Sequence, residues 1–160
     1  MIKNDKIEIQ VIGEYSMNKS MNELMNELTS LKYKEELEQW LEEHKQEHKS
    51  FGQYFQELCK KYHTNPSKLN SRCTKSKSYL YKCSSDVKVP SKKVIVCIGI
   101  ALQATLEEIN TMLKYAGHKE LYPKNMWDAV IIFGLNKGYT ISEIDRLLIE
   151  YEALDELLNE

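Results

Sequence analysis

The sequence predicts an all-α protein, and three observations lead to this prediction. Apolar residues recur at spacings of three and four positions along most of the chain, which is the period of an amphipathic helix. Residues that cap helix N-termini stand ahead of these apolar stretches. The alternation typical of a strand is limited to Ile7, Ile9 and Val11, and no second strand pattern lies nearby to pair with them.

The composition indicates a globular, cytoplasmic protein with reduced thiols. The chain has 160 residues, of which 42% are hydrophobic and 29% are charged, so it is long enough to bury a core. The longest apolar run, from Val94 to Leu102, is far shorter than the roughly 20 residues that cross a bilayer. The four cysteines form no C-x-x-C pair, and no segment resembles a signal peptide. No membrane contact is therefore expected.

Charge is distributed unevenly along the chain. The net charge is −2, but residues 51–95 hold ten Lys and Arg against two Asp and Glu. The segments on both sides of this basic stretch are acidic. Such a pattern indicates a surface that faces a polyanion, most commonly nucleic acid. The alternative is a solvated face whose lysines pair with the acidic flanks.

Residues 1–19 are expected to form an arm that is disordered or pairs at an edge, and residues 20–49 a helical segment. Ser20 and Glu23 have the spacing of a capping box, in which each side chain bonds the backbone amide of the other residue. A narrow apolar stripe suits either a helical hairpin packed on the domain or the seam of a weak homodimer through residues 20–41. The stripe consists of Met21, Leu24, Leu28, Leu31, Leu37, Trp40 and Leu41.

Five helices are predicted in the next segment, residues 50–117. Two of them are short and are separated by about one turn. Each is shorter than the roughly 12–15 residues at which an isolated helix is only marginally stable in water. They need supporting neighbours, which is how a helix-turn-helix is built. The predicted helices cover 51–62 after Ser50, 66–72 after Asn65, 77–84 after Ser76, a stretch from Ser91 to about Leu102, and a stretch from Thr105 to a stop at Gly117.

The two short helices and the loop after them resemble a known family. Leu69-Asn-Ser-Arg-Cys-Thr-Lys-Ser76 aligns without gaps with the family string Leu-Ala-x-x-x-Gly-x-Ser. Tyr79–Cys83 takes the place of its recognition helix, and Asp86–Ser91 that of its closing turn. Residues 51–117 are thus similar to the Cro and phage-repressor (XRE-type) helix-turn-helix family. The resemblance implies a five-helix DNA-binding domain, a role in transcriptional regulation and a bacterial or phage source.

Three residues depart from the family string. Asn70 stands where Ala is favoured, Thr74 replaces the turn glycine, and Lys75 replaces a small apolar residue. A β-branched Thr is strained at positive φ, so the turn is expected to be wider or differently shaped. These departures motivate an alternative function, a degenerate helix-turn-helix whose basic face binds an acidic protein.

Residues 118–160 are expected to form a C-terminal extension that contains a helical pair. Asn125 can cap a helix that stops at Gly138, and Thr140 and Glu143 make the capping box of the last helix. The acidic tail from Leu154 to Glu160 is expected to fray.

No residue pattern predicts catalysis, so neither an enzyme nor a metal or cofactor site is expected. The string His44-Lys-Gln-Glu47-His48 fits the inverted zincin motif H-x-x-E-H. It lies in a run without apolar residues, however, and a solvated helix end offers no third ligand and no water-excluding cleft. The four cysteines fall on different predicted helices and are expected to be small buried hydrophobes. The alternative is a zinc cluster or a redox pair, because separated core positions can converge.

The resemblance assigns DNA contacts to the helix over residues 77–84 and to its flanking turns. Leu80 and Cys83 are expected to face the core, with Tyr79 as a core or rim aromatic. Lysines there can bond phosphates or guanine, Ser78 can bond base edges, and Tyr81 can contact sugar or a thymine methyl group. Because this face has no Arg, Gln or Asn for bidentate bonding, specificity is expected to be modest or based on DNA shape. The predicted contact residues are Lys75, Ser76, Lys77, Ser78, Tyr81, Lys82, Lys88 and Lys92.

Overall fold

The computed structural model describes residues 19–45, 49–73, 75–152 and 155–157. In this part of the chain all regular secondary structure is helical, which confirms the all-α fold there. Almost all of the predicted arm, residues 1–19, lies outside the described residues. The helices are α1 (Met21–Ser30), α2 (Lys34–Glu43), α3 (Phe51–Lys61), α4 (Pro66–Leu69), α5 (Lys77–Ser84), α6 (Lys92–Leu102), α7 (Leu106–Tyr115), α8 (Met126–Lys137) and α9 (Ile141–Glu150).

The chain divides into two compact units, Met1–Lys49 and Ser50–Glu160. The first contains α1 and α2, and the second contains α3 to α9. None of the described helices has the length and apolar character needed to span a membrane.

Helix ends follow the capping residues that the sequence predicts. The predicted capping boxes form at Ser20, Ser50, Thr105 and Thr140. Single side-chain caps form at Asn65, Ser76, Ser91 and Asn125. Gly117 and Gly138 end α7 and α8 with φ of +80° and +70°, the left-handed conformation that favours glycine. These predictions of helix ends are confirmed. They could be made from the sequence because a cap depends only on residues within one turn of it.

α4 is shorter than the sequence predicts. The expected helix runs to Arg72, but α4 ends at Leu69 and the chain continues in turns. The amides of Arg72 and Cys73 both donate to the Leu69 carbonyl, at 2.9 and 3.0 Å. Ser71 donates its hydroxyl to the carbonyl of Lys68, a local bond that competes with helical hydrogen bonding. Thr74 lies outside the described residues, so the prediction of a wider turn stays a prediction.

Within the first unit, side chains around Trp40 join α1 to α2. The Trp40 indole donates to Oε2 of Glu27 at 3.0 Å. His44 stacks on Trp40 with ring centroids 4.1 Å apart, and its Nδ1–H donates to the Trp40 carbonyl at 2.8 Å. The expectation that His44 lies on a solvated helix end is therefore wrong, since its side chain is only 3% exposed. Glu47 and His48 lie outside the described residues.

The core of the second unit is built around α6. All residues from Val94 to Ile98 are buried, as expected for a helix that is apolar on nearly every side. α6 packs against α4 and α7, α3 packs against α5 and α7, and α8 packs against α7 and α9. Ile131 of α8 and Ile144 of α9 belong to the same buried cluster as Phe55 of α3. The C-terminal helices therefore share one core with the rest of the unit.

The C-terminal tail is packed where the sequence suggests fraying. Leu157 is 2% exposed, its amide donates to the carboxylate of Asp145, and its carbonyl lies 3.7 Å from the Cys97 sulfur. The prediction that the tail from Leu154 to Glu160 frays is wrong for residues 155–157. The buried side chain of Leu157 anchors the segment, and the buried carboxylate of Asp145 accepts the hydrogen bond from the Leu157 amide.

Candidate nucleic-acid interface

α5 has one face in the core and one in solvent. Leu80 and Cys83 are completely buried, which confirms the predicted inner face. With about 100° of rotation per residue, the exposed side chains of α5 fall on an arc of about 140° around the helix axis. Tyr79 lies about 60° beyond the Lys82 edge of this arc, towards the buried face. In order around the helix, the exposed residues are Lys77, Tyr81, Ser78 and Lys82.

Hydrogen bonds fix both the start of α5 and its position against α4. The Ser76 hydroxyl accepts from the amide of Tyr79 at 3.2 Å, so the predicted contact residue Ser76 is also the helix cap. The hydroxyl oxygens of Tyr81 on α5 and Ser67 on α4 lie 3.2 Å apart. α4 therefore lies on the Tyr81 and Lys77 side of α5, opposite the edge where Tyr79 is found.

Nine of the ten basic residues of segment 51–95, all except Lys75, form two groups that differ in their ion pairs. One group pairs with carboxylates of the acidic C-terminal segment, through Lys61–Glu108, Lys92–Asp128 and Lys93–Asp155. The other group makes no ion pair with any residue that the structure describes, and it consists of Lys60, Lys68, Arg72, Lys77, Lys82 and Lys88. Apart from Lys60, these cations lie on α4, on α5 or in the loops beside them. Pairing with the acidic flanks therefore accounts for only part of the basic segment.

Lys68 and Arg72 are basic residues of this region that the sequence-based contact set omits. Both are exposed, Lys68 on α4 and Arg72 in the turn after it. The concentration of positive charge in residues 51–95 could have led to their inclusion among the predicted contact residues.

The ammonium group of Lys92, another predicted contact residue, lies against α8. Its Nζ is 2.7 Å from Oδ1 and 2.9 Å from Oδ2 of Asp128, and 5.6 Å from the centroid of the Trp127 ring. Asp128 is 2% exposed. The charge of Lys92 is thus neutralised by an ion pair with the buried carboxylate of Asp128.

Tyr79 brings together two lysines from opposite ends of α5. Its ring packs partly against the core, as the sequence predicts for a rim aromatic. Nζ of Lys75, which precedes α5, lies 5.4 Å from the ring centroid, and Nζ of Lys88, which follows α5, lies 5.5 Å from it. Both distances are within the roughly 6 Å over which a cation is attracted to an aromatic face. The sequence alone did not indicate this arrangement.

The loop that carries Lys88 is held against the start of α3. Asp86 has a left-handed φ of +61°, and its carboxylate accepts from the Gly52 amide at 2.8 Å and from the Ser50 hydroxyl. Its negative charge lies at the N-terminus of α3, where the helix dipole favours it. The next two residues close the loop, because the amides of Val87 and Lys88 both donate to the Lys82 carbonyl.

The cysteines provide no reactive group in this region. All four are free thiols and buried, as predicted. Burial raises the pKa of Cys73 and Cys83, beside and on α5, and also that of Cys59 to about 11 and that of Cys97 to about 12, which keeps the thiols protonated near neutral pH. Among the residues that the structure describes, no three His, Cys, Asp or Glu side chains are grouped so that they could hold a metal ion.

Comparison of the chain with protein-family models, with curated proteins and with solved structures found no match. Its function must therefore be inferred from its own residues.

Proposed function

We propose that the second unit binds double-stranded DNA through α5 and its flanking loops, as a transcriptional regulator of the repressor-like (XRE-type) helix-turn-helix class. The observation that carries this proposal is the group of exposed cations on and around α4 and α5 that pair with no carboxylate in the described part of the chain. Two short helices, α4 and α5, lie between the longer α3 and α6, which supports the resemblance of residues 51–117 to that family.

The exposed arc of α5 supplies the groups that duplex DNA requires. Lys77 and Lys82 can neutralise phosphates or bond guanine, while Ser78 and Tyr81 can contact base edges and sugars. Lys75 and Lys88, at the edge of the helix, can bond phosphates. Ser76 and Lys92 are expected to contribute less, because a capping bond occupies the Ser76 hydroxyl and Asp128 holds the Lys92 ammonium.

The first unit is proposed to mediate a weak homodimer. A single helix-turn-helix contacts few base pairs, so such proteins usually dimerise to span two half-sites. Residues 20–41 leave apolar side chains exposed on both helices, which supports a second copy of the chain as their partner. The exposed apolar residues are Met21, Met25, Leu28, Leu37 and Leu41.

We further propose that the protein acts in the cytoplasm.

The salt dependence of duplex binding tests the DNA proposal. Fluorescence anisotropy with an unspecific labelled duplex should show log Kd rising with log salt by about 0.9 per neutralised phosphate between about 50 and 200 mM. Lys77→Glu and Lys82→Glu should each abolish binding at the higher salt while leaving the circular dichroism unchanged. Lys60→Glu, an equal charge change on α3, should bind nearly as wild type does.

Two results would refute DNA binding through α5. One is binding that stays constant across this salt range. The other is an equal loss in the Lys60 and Lys77 variants, which would indicate that total charge alone matters. Cys83→Asp serves as an unfolding reference, because it buries a charge without a partner.

A second candidate function is binding of an acidic protein. Val87 and Val89, in the loop after α5, are 70% and 61% exposed beside Lys88. Exposed apolar side chains next to a cation suit a protein partner that supplies both carboxylates and apolar groups. Absence of duplex binding even at about 50 mM salt would favour this function over the first.

A further inference from the structure

The ring of Tyr79 limits how far apart two basic side chains can be. Because Nζ of Lys75 and Nζ of Lys88 lie 5.4 and 5.5 Å from the same centroid, they are at most about 11 Å from each other. In the sequence they are separated by the whole of α5. The two like charges repel each other only weakly if they are near that upper limit, and the electron-rich face of Tyr79 attracts both.

The anchoring of the Tyr79 ring and of the Lys88 loop favours this arrangement. Tyr79 is fixed by its contact with the core. The loop of Lys88 is held by two backbone bonds to the Lys82 carbonyl and by the Asp86 carboxylate at the start of α3. A lysine otherwise samples many rotamers and loses that freedom on binding. A ring that orders the ammonium group beforehand reduces this loss.

The position of Tyr79 on α5 indicates which groups the lysines face. Tyr79 lies next to Lys82, at the edge of the exposed arc away from α4. Phosphates along one strand of B-DNA advance about 3.4 Å each along the axis, and they lie farther apart through space because the backbone also winds around that axis. Two ammonium groups at most about 11 Å apart therefore suit neighbouring phosphates of one strand. The Tyr79 edge of α5 fits such a backbone contact if the exposed arc faces the bases.

We propose that Tyr79 is a positioning residue for DNA binding, which holds Lys75 and Lys88 towards adjacent phosphates of one strand without touching the DNA itself. This inference rests on the proposed function. It adds a role for an aromatic side chain that forms no part of the exposed arc.

Replacement of the ring tests the inference. Duplex affinity is measured by anisotropy for wild type, Tyr79→Phe, Tyr79→Leu and Tyr79→Met. Tyr79→Phe keeps the aromatic face and should bind within about twofold of wild type. Tyr79→Leu and Tyr79→Met, which keep apolar bulk for the core, should weaken binding about tenfold, because two long side chains then have to be ordered on binding. Thermal melts identify which variants remain folded, and either aliphatic variant suffices.

A double-mutant cycle separates positioning from direct contact. In a Lys75→Ala/Lys88→Ala background, loss of the ring should change affinity less than twofold, because the groups that it positions are absent. A tenfold loss that persists in this background overturns the inference, as does an aliphatic variant that binds like wild type or a Phe variant that is equally weak. A wild-type chain without salt-dependent binding would instead refute the proposed function, and this inference with it.

Discussion

Nζ of Lys92, the first residue of α6, lies 2.7 Å from Oδ1 of Asp128 in the first turn of α8. The same carboxylate accepts from the amide of Tyr122 at 2.8 Å. Asp128 thus joins the central helix of the core to the C-terminal helical pair. Because its carboxylate is buried and Lys92 is partly exposed, the consequence of breaking the pair depends on which partner is removed.

We predict that Lys92→Met destabilises the second unit by about 3 kcal/mol, because it leaves a buried carboxylate without its counter-charge. Methionine keeps most of the aliphatic stem, so the loss reports on the charge. Urea unfolding at neutral pH, followed by circular dichroism, measures the difference.

The matched control is Lys114→Met in the last turn of α7. The side chains of Lys114 and its partner Glu120 are 68% and 51% exposed, and exposed ion pairs contribute about 0–1 kcal/mol. If the two variants lose equal stability, the prediction that the buried carboxylate of Asp128 depends on the charge of Lys92 is wrong.

Glu108 should make the second unit sensitive to acid. Burial of its carboxylate opposes ionisation, but hydrogen bonds from the Thr105 amide, the Tyr62 hydroxyl and Lys61 outweigh burial and lower the pKa of Glu108 to about 2. Because this pKa is lower in the folded than in the unfolded state, the ionised form stabilises the fold above pH about 4.5 and that stabilisation is lost as the pH falls towards 2.

Glu108→Gln is therefore predicted to destabilise the protein by about 3 kcal/mol near neutral pH, and by progressively less as the pH falls from about 4.5 towards 2. Urea unfolding at several pH values measures the gap to wild type. Glu107→Gln, an exposed change in the same helical turn, should show no comparable gap. A gap that stays constant with pH would contradict this assignment of acid sensitivity.

Gly52→Ala is predicted to destabilise the protein even though alanine is the better helix former. A Cβ atom at Gly52 would lie 2.5 Å from the Ser84 carbonyl oxygen and 2.7 Å from the Asp86 carboxylate. The carbonyl is backbone, so the end of α5 has to move. The propensity gain of up to about 1 kcal/mol is smaller than the 1–3 kcal/mol that such overpacking typically costs.

Thermal unfolding measures this effect, with Lys60→Ala on the same helix as an exposed control. A Gly52→Ala variant that melts above wild type would show that α3 and the end of α5 can separate at little cost.

Deletion of residues 1–45 is predicted to leave a folded monomer, because the second unit begins at Ser50 and contains its own core. The full chain should form a weak dimer at tens of micromolar in sedimentation experiments. Met21→Glu should weaken the dimer without unfolding the first unit, since Met21 is 76% exposed. A truncated chain that still dimerises would move the interface out of residues 20–41.

The helices and their ends were predictable from the sequence because the interactions that define them are local. Ser76 bonds an amide three residues away, and Gly138 ends α8 through its own backbone conformation. The inner face of α5 was predictable for the same reason, since Leu80 and Cys83 follow helical spacing. Where two local preferences competed, as at Ser71 after α4, the predicted helix end was wrong.

Tertiary structure decided which charged and polar side chains remain available. Lys77 and Lys92 are equivalent in the sequence, as lysines that begin helices. Lys92 meets a carboxylate 36 residues away, whereas Lys77 meets none among the residues that the structure describes. Lys75 and Lys88 approach one ring only because α5 is folded between them, and Leu157 is fixed only because Asp145 is buried beneath it. Local spacing sets helices and their faces, whereas pairing between distant side chains depends on how those helices pack, which no short stretch of sequence encodes.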